Sequence, residues 1–205
     1  MSPLLANIYL NYLDTIWEKK FLHLGALVRY ADDLVILCKT QTHALEAIHV
    51  LKAVCGKLEL EMNTAKSRLV NLTNDQAGFD FLGMHHKKVG VKGKYGLFYS
   101  LRSYPSQKAM RSMRGKIKEV TAPRNRLYWS MGKMVAELNP MIRGWRNYYR
   151  LDPFSGNILR KIDVYVRVRL TLFWNKKHRK RNKHGEMRVI ARIAKWSGLQ
   201  RVAIG

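Results

Sequence analysis

Acidic residues are scarce in this chain. Its 205 residues hold 14 Asp and Glu against 38 Lys and Arg, a formal net charge of +24. That excess excludes a charge-balanced surface and points to a polyanionic partner. Cysteine is also scarce: Cys38 and Cys55 both sit among apolar residues, which favours buried free thiols in a reducing compartment over a disulfide. With so few cysteines there is no cysteine-based zinc motif. No apolar run approaches the roughly 20 residues a membrane span needs, and no secretory signal precedes the first helix. No internal repeat is present.

What is present argues for a folded protein. A hydrophobic fraction of 47% supplies a core, unlike a disordered polybasic tail. The charge is unevenly spread. Residues 1–101 hold 12 Lys/Arg and 9 Asp/Glu, a net of +3, whereas residues 102–205 hold 26 and 5, a net of +21. Several predicted helices share that second charge, which favours nucleic acid over the single basic amphipathic helix typical of membrane surfaces.

The most informative stretch is Leu27-Val28-Arg29-Tyr30-Ala31-Asp32-Asp33-Leu34-Val35-Ile36-Leu37. Two runs of β-formers flank adjacent carboxylates, which predicts a β-hairpin turning at or near Ala31-Asp32-Asp33. Neighbouring aspartates repel unless a cation lies beside them, and an oxygen-only site suits Mg²⁺. The simpler alternative is an ordinary acidic turn.

Before the hairpin, Ser2-Pro3 predicts a helix start, and apolar residues from Leu4 to Trp17 share one face of a helix reaching about Phe21. Asp14 and Glu18 read as solvated surface. Thr40 is expected to cap a second helix with the stripe Leu45, Ile48, Leu51, Cys55 and Leu58. A loop containing Lys66 then leads to an expected strand over 68–72. Asn74-Asp75-Gln76-Ala77-Gly78 reads as a turn, Phe79–Met84 as a strand, and Lys87–Gly96 as the loop of a hairpin returning through Leu97–Leu101. Adjacent strand residues face opposite ways, so His85-His86 read as surface or packing residues rather than as ligands of one metal.

Pro105 marks a boundary. Beyond it come a helix with apolar Ala109, Met110, Met113, Ile117 and Val120, a second over about 127–138, and a third capped by Asn139-Pro140. A long helix over about 158–174 runs into Lys176–Lys183, six basic residues in eight. A short helix follows near 188–196. Candidate phosphate-contacting residues are Lys108, Arg111, Arg114, Arg143, Arg146, Arg150, Lys176, Lys177, Arg179, Lys180, Arg181 and Lys183. Trp145 reads as a core anchor.

Four ordered motifs give a family resemblance. Tyr30-Ala31-Asp32-Asp33 resembles the catalytic hairpin of reverse transcriptases. Ser2-Pro3-Leu4-Leu5-Ala6-Asn7-Ile8-Tyr9-Leu10 resembles the helix preceding it in group II intron enzymes. Phe79-Asp80-Phe81-Leu82-Gly83 resembles their primer grip, and Leu138–Tyr149 their maturase (thumb, or X) motif. The resemblance implies an α+β chain: part of a reverse-transcriptase palm, with antiparallel hairpins and packed helices over 1–103, an α-helical thumb/maturase bundle over 104–152, and a basic helical extension over 153–205.

It further implies Asp32 and Asp33 as ligands of Mg²⁺ and Lys66 as a candidate proton donor to leaving pyrophosphate, with a plain solvated lysine the equal alternative. Tyr30, Ala31, Phe81, Leu82 and Gly83 become candidates for nucleotide or primer contact. The implied activity is RNA-directed DNA polymerisation and splicing assistance; the implied partners are intron RNA and primer-template, in a bacterial cytoplasmic or organellar ribonucleoprotein. In this family another catalytic aspartate and the fingers lie upstream of the Ser-Pro-Leu-Leu helix. The chain is therefore expected to be a C-terminal portion, inactive alone, with part of its first helix uncovered and a separate fingers–palm polypeptide as a possible partner. Two alternatives stay open: a non-enzymatic RNA-binding splicing factor, or an inactive remnant.

Overall fold

The computed structural model describes residues 3–73, 77–94, 96–150, 155–180 and 186–203. The chain is α+β and divides into two compact units, Met1–Leu82 and Gly83–Gly205.

In the first unit, α1 (Pro3–Ile16) continues through a π-helical turn, Trp17–Phe21. The hairpin follows as β1 (Ala26–Tyr30) and β2 (Asp33–Leu37), paired from Ala26↔Leu37 to Tyr30↔Asp33 around a two-residue turn. The register sorts the side chains by face. Leu27, Leu34 and Ile36 pack against Leu13 of α1 and Leu51, Val54 and Cys55 of α2 (Gln41–Lys57). Trp17, Leu24 and Ala47 extend this core, and the Trp17 indole N–H donates to the Gly25 carbonyl at 2.9 Å. As expected, Thr40 caps α2, its hydroxyl accepting from the His43 N–H at 3.2 Å. The helix closes with Glu59 in the left-handed region (φ +54°); Glu59 N–H donates to Gly56 O and Leu60 N–H to Cys55 O, a Schellman ending.

The expected strand over 68–72 does not form. Asn71 Oδ1 accepts from the Thr73 N–H at 2.9 Å and from the Thr73 hydroxyl at 2.6 Å, a local alternative to ladder bonds. The expected turn at Asn74-Asp75-Gln76 lies outside the described residues. The strand predicted over Phe79–Met84 is cut short: β3 is Gly78–Phe81, and Leu82 (φ +49°) and Gly83 (φ +77°) turn the chain.

The second unit opens with β4 (Met84–Gly93) and β5 (Gly96–Pro105), paired from Met84↔Pro105 to Gly93↔Gly96. The Gly- and Lys-rich stretch read as a loop is thus mostly strand. Val89, Val91 and the apolar run Leu97–Tyr99 favour extended pairing, and long lysine stems lie along such a surface; the Lys88 ammonium sits 4.4 Å from the Tyr99 ring centroid. His85 packs on Tyr104 and His86 Nδ1 lies 2.9 Å from the Ser103 hydroxyl, the packing roles expected of them.

The helices follow: α3 (Gln107–Thr121, capped by Ser106), a 3₁₀ turn at Arg124–Arg126, α4 (Met131–Tyr149, capped by Ser130), α5 (Gly156–Lys177) and α6 (Met187–Trp196). Their apolar stripes meet in one core that includes Met110, Met113, Ile117, Met134, Leu138, Ile142, Leu159, Ile162, Leu170, Phe173 and Ile190. The two helices predicted on either side of Asn139-Pro140 are one. Pro140 is exposed, so the hydrogen bond it forfeits lies on the solvent side. Asn139 does not cap; its amide donates to Gly198 O at 2.9 Å and its Oδ1 accepts from the Gln200 N–H at 3.0 Å, tying α4 to the segment after α6. That segment is pinned again by Asp163, whose carboxylate accepts from the N–H groups of Val202 (2.7 Å) and Ala203 (3.1 Å).

Candidate active site and nucleic-acid interface

The hairpin register places Tyr30 and Asp33 opposite each other on the face that α1 and α2 leave open. Asp32 and Asp33 are both exposed, and among the described residues neither carboxylate has a hydrogen-bonding or ion-pair partner. Ala31 begins the turn at φ +52°, a region that L side chains enter at a cost of roughly 1–2 kcal/mol.

Arg29 holds that turn. Its position two residues from Leu27 puts it on the covered face, where an unpaired charge is untenable. The guanidinium makes a bidentate ion pair with Asp14 of α1, with Nε 2.8 Å from Oδ1. Nη1 donates to the Asn7 side chain at 3.0 Å and to the Ala31 carbonyl at 2.8 Å. The Asp14 hydrogen bond holds the Arg29 pKa above its ordinary value, although desolvation opposes it. Asp14 is therefore an anchor rather than the solvated acid expected of it. Strand alternation carried the signal: an arginine on a face otherwise apolar needs an acid on whatever covers it.

Asp32 and Asp33 present hard, solvent-open oxygens, a donor set that fits a divalent cation retaining several waters. Among the described residues, no group of three or more His, Cys, Asp or Glu is arranged to hold a metal. Because the two carboxylates stabilise nothing visible in the fold, Asp32→Asn and Asp33→Asn are each expected to shift stability by less than about 0.5 kcal/mol. A thermal melt at low salt checks this; clear destabilisation by both would mean that these carboxylates have structural partners.

Lys66 is exposed in a turn in which its own N–H donates to Asn63 O at 3.1 Å. Phe81 and Leu82 are half-buried, and Gly83 is exposed. The Gly83 carbonyl lies 3.4 Å from the Tyr149 hydroxyl, and a Cβ at Gly83 would stand 2.9 Å from that oxygen. Burial pushes the Tyr149 phenol up, as it does the free thiols of Cys38 and Cys55.

The basic residues form recognisable stripes. Lys108, Arg111 and Arg114 follow helical spacing along α3; Lys108 and Arg111 are exposed, and Arg114 lies 6.0 Å from the Tyr165 ring centroid. On α4, Arg143 and Arg146 lie one turn apart with Arg150 at the helix end; Arg143 and Arg150 are exposed, and Arg146 is half-buried. Trp145 packs against the core, as expected.

The basic run that begins in the last turn of α5 is less uniform than a free basic tail. Lys176 donates to Ala122 O at 3.3 Å and Lys177 to Trp129 O at 2.6 Å. Arg179 takes the left-handed position (φ +53°) of a Schellman ending, and Lys180 pairs with Glu186. Arg181 and Lys183 lie outside the described residues. Sequence reasoning missed Arg124, Arg126 and Lys133, which the loop after α3 and the start of α4 bring to the same end of the unit as Lys176 and Lys177.

Among the described residues, no helix is long and apolar enough to cross a membrane. Residues 1–86 match the family model for the reverse transcriptase (RNA-dependent DNA polymerase), and residues 110–190 match that for the group II intron maturase-specific domain. Comparison with curated proteins yields no match. The first match carries the paired-aspartate hairpin, and its family are nucleotidyltransferases that generally use a divalent metal. The second carries the helices with the basic stripes, and together the two imply nucleic-acid partners. A palm hairpin of the polymerase kind followed by a maturase-specific core places this chain in the family of group II intron reverse transcriptase/maturases.

Proposed function

We propose that the chain works on intron RNA as the metal-bearing hairpin and RNA grip of an RNA-directed DNA polymerase/maturase. The observation that carries this reading is the open, unpartnered Asp32-Asp33 pair, held in place by Arg29, in a chain whose other unit is strongly basic. Asp32 and Asp33 hold Mg²⁺, which stabilises charge on the transferring phosphoryl group when bound. Tyr30 and Ala31 border the incoming nucleotide; Phe81, Leu82 and Gly83 support the primer. Lys66 is the proposed proton donor to the leaving pyrophosphate. Lys108, Arg111 and Arg114 of α3 and the arginines of α4 contact phosphates of folded RNA within a cytoplasmic or organellar ribonucleoprotein. Functionally, residues 1–103 serve as palm, 104–152 as thumb and 153–205 as basic extension. The reverse-transcriptase and maturase-specific matches together favour this reading over a non-enzymatic RNA-binding splicing factor or an inactive remnant.

A separate fingers–palm polypeptide is the partner proposed for α1, where Leu4, Leu5 and Ile8 are 67%, 58% and 65% exposed and Tyr9 and Tyr12 stand open beside them. Two carboxylates form an incomplete cage for two-metal phosphoryl transfer. The chain alone is therefore expected not to extend a primer on an RNA template with Mg²⁺ and deoxynucleotides. Extension by the chain alone that vanishes in Asp32→Asn would contradict the two-carboxylate count. Extension restored by a fingers–palm polypeptide, and lost again in Asp32→Asn, supports it.

A further inference from the structure

The segment joining α3 to α4 carries a feature that phosphate binding does not require. Tyr128 leaves 76% of its surface in water, yet its surroundings are held firmly. Trp129 packs against the helical core and meets the Tyr128 ring edge-on, with centroids 6.4 Å apart. The Lys177 ammonium donates to the carbonyls of both residues, at 3.4 Å to Tyr128 and 2.6 Å to Trp129, which pins their backbone to the end of α5. The Lys133 ammonium lies 5.9 Å from the Tyr128 centroid and 4.8 Å from that of Trp129. Arg126 lies 5.0 Å from the Trp129 centroid, and its Nη1 donates to Val120 O at 3.0 Å.

An exposed tyrosine alone means little. Here an open ring stands on an anchored backbone, with ammonium and guanidinium groups around it. That combination suits a nucleotide whose base has left its stack: the ring offers a π-face to any base, and the cations take the adjacent phosphates. A duplex hides its base faces and reaches only the cations.

We propose that Tyr128 is a stacking platform for an unpaired base of bound RNA, with Lys133 and Arg126 supplying phosphate contacts. The proposal rests on the reading of this unit as an RNA grip and adds its preference for a single-stranded nucleotide.

The test measures equilibrium binding of the full chain to a short oligouridylate and to a blunt RNA duplex of comparable charge. Tyr128→Ala is expected to weaken oligouridylate binding about tenfold, within the range contributed by one stacked base, and to change duplex binding less than about twofold. The salt dependence of oligouridylate binding stays the same, because no cation is removed. Tyr128→Phe keeps the affinity; Tyr128→Leu, which retains apolar bulk without a π-face, loses it. Circular dichroism of each variant checks folding, which a largely exposed position should not disturb. Unchanged binding by Tyr128→Ala, an equal loss on both RNAs, or retention by Tyr128→Leu would overturn the platform while leaving the RNA grip intact. If the unmodified chain binds neither RNA, the reading of this unit as an RNA grip fails and the platform with it.

Discussion

Arg29→Ala is expected to loosen the hairpin by roughly 2–3 kcal/mol, an effect carried by a single side chain. The Arg29 and Asp14 side chains are 11% and 31% exposed, so the pair is only partly screened by solvent, and its loss strands a carboxylate against the hairpin. The same truncation removes the donors to Asn7 and to Ala31 O, the carbonyl of a turn residue already at positive φ. Asp14→Asn, which keeps hydrogen-bonding capacity without charge, should cost about half as much. Hydrogen exchange reads the effect locally: amides over 26–37 should exchange faster in Arg29→Ala, while those of α3 to α6 keep their rates. Equal protection in the two proteins would mean that packing of Leu27, Leu34 and Ile36 alone positions the aspartates.

Much of this architecture was legible from patterning. The hairpin follows from two β-forming runs around a polar turn, and its register from the need to bury Leu27, Leu34 and Ile36 together. The α3 stripe follows from three- and four-residue spacing. The misreadings have local causes. Asn139-Pro140 reads as a helix boundary because both residues usually are; tertiary bonds from Asn139 to Gly198 and Gln200, and a proline placed on the solvent side, carry the helix through. The stretch 87–96 reads as a loop because glycine and lysine rarely signal strands, yet pairing with Leu97–Leu101 overrides that propensity. The basic residues of the site were visible, but their division between structural and free roles was not. Nothing in sequence spacing tells that Lys177 holds the backbone beside Tyr128 while Arg143 faces solvent.

That division sharpens the second large effect, the dependence of RNA binding on salt. Residues 102–205 carry +21, and some of that charge is tied up, as by the Lys180–Glu186 pair. If roughly 6 to 8 phosphates are neutralised, log affinity falls against log salt with a slope of about −4 to −7, a loss of several hundred-fold or more between 50 and 200 mM salt. Arg143, Arg146 and Arg150 are better positions for substitution than Lys176 and Lys177, whose ammonium groups support the loop after α3. Replacing the three arginines together with Gln should flatten the slope by about 2 to 3 units. Because they lie on the helix of the maturase motif, they should also matter more for a folded intron domain than for an unrelated RNA.

The most direct test is a filter-binding titration across salt, with a folded group II intron domain and an unrelated RNA presented to the unmodified chain and to the triple Arg→Gln variant. A slope of about −4 to −7 is expected, flattened in the variant, with the larger loss on the intron domain. A slope near zero, or an unmodified chain that holds an uncharged competitor as tightly as RNA, would contradict the account.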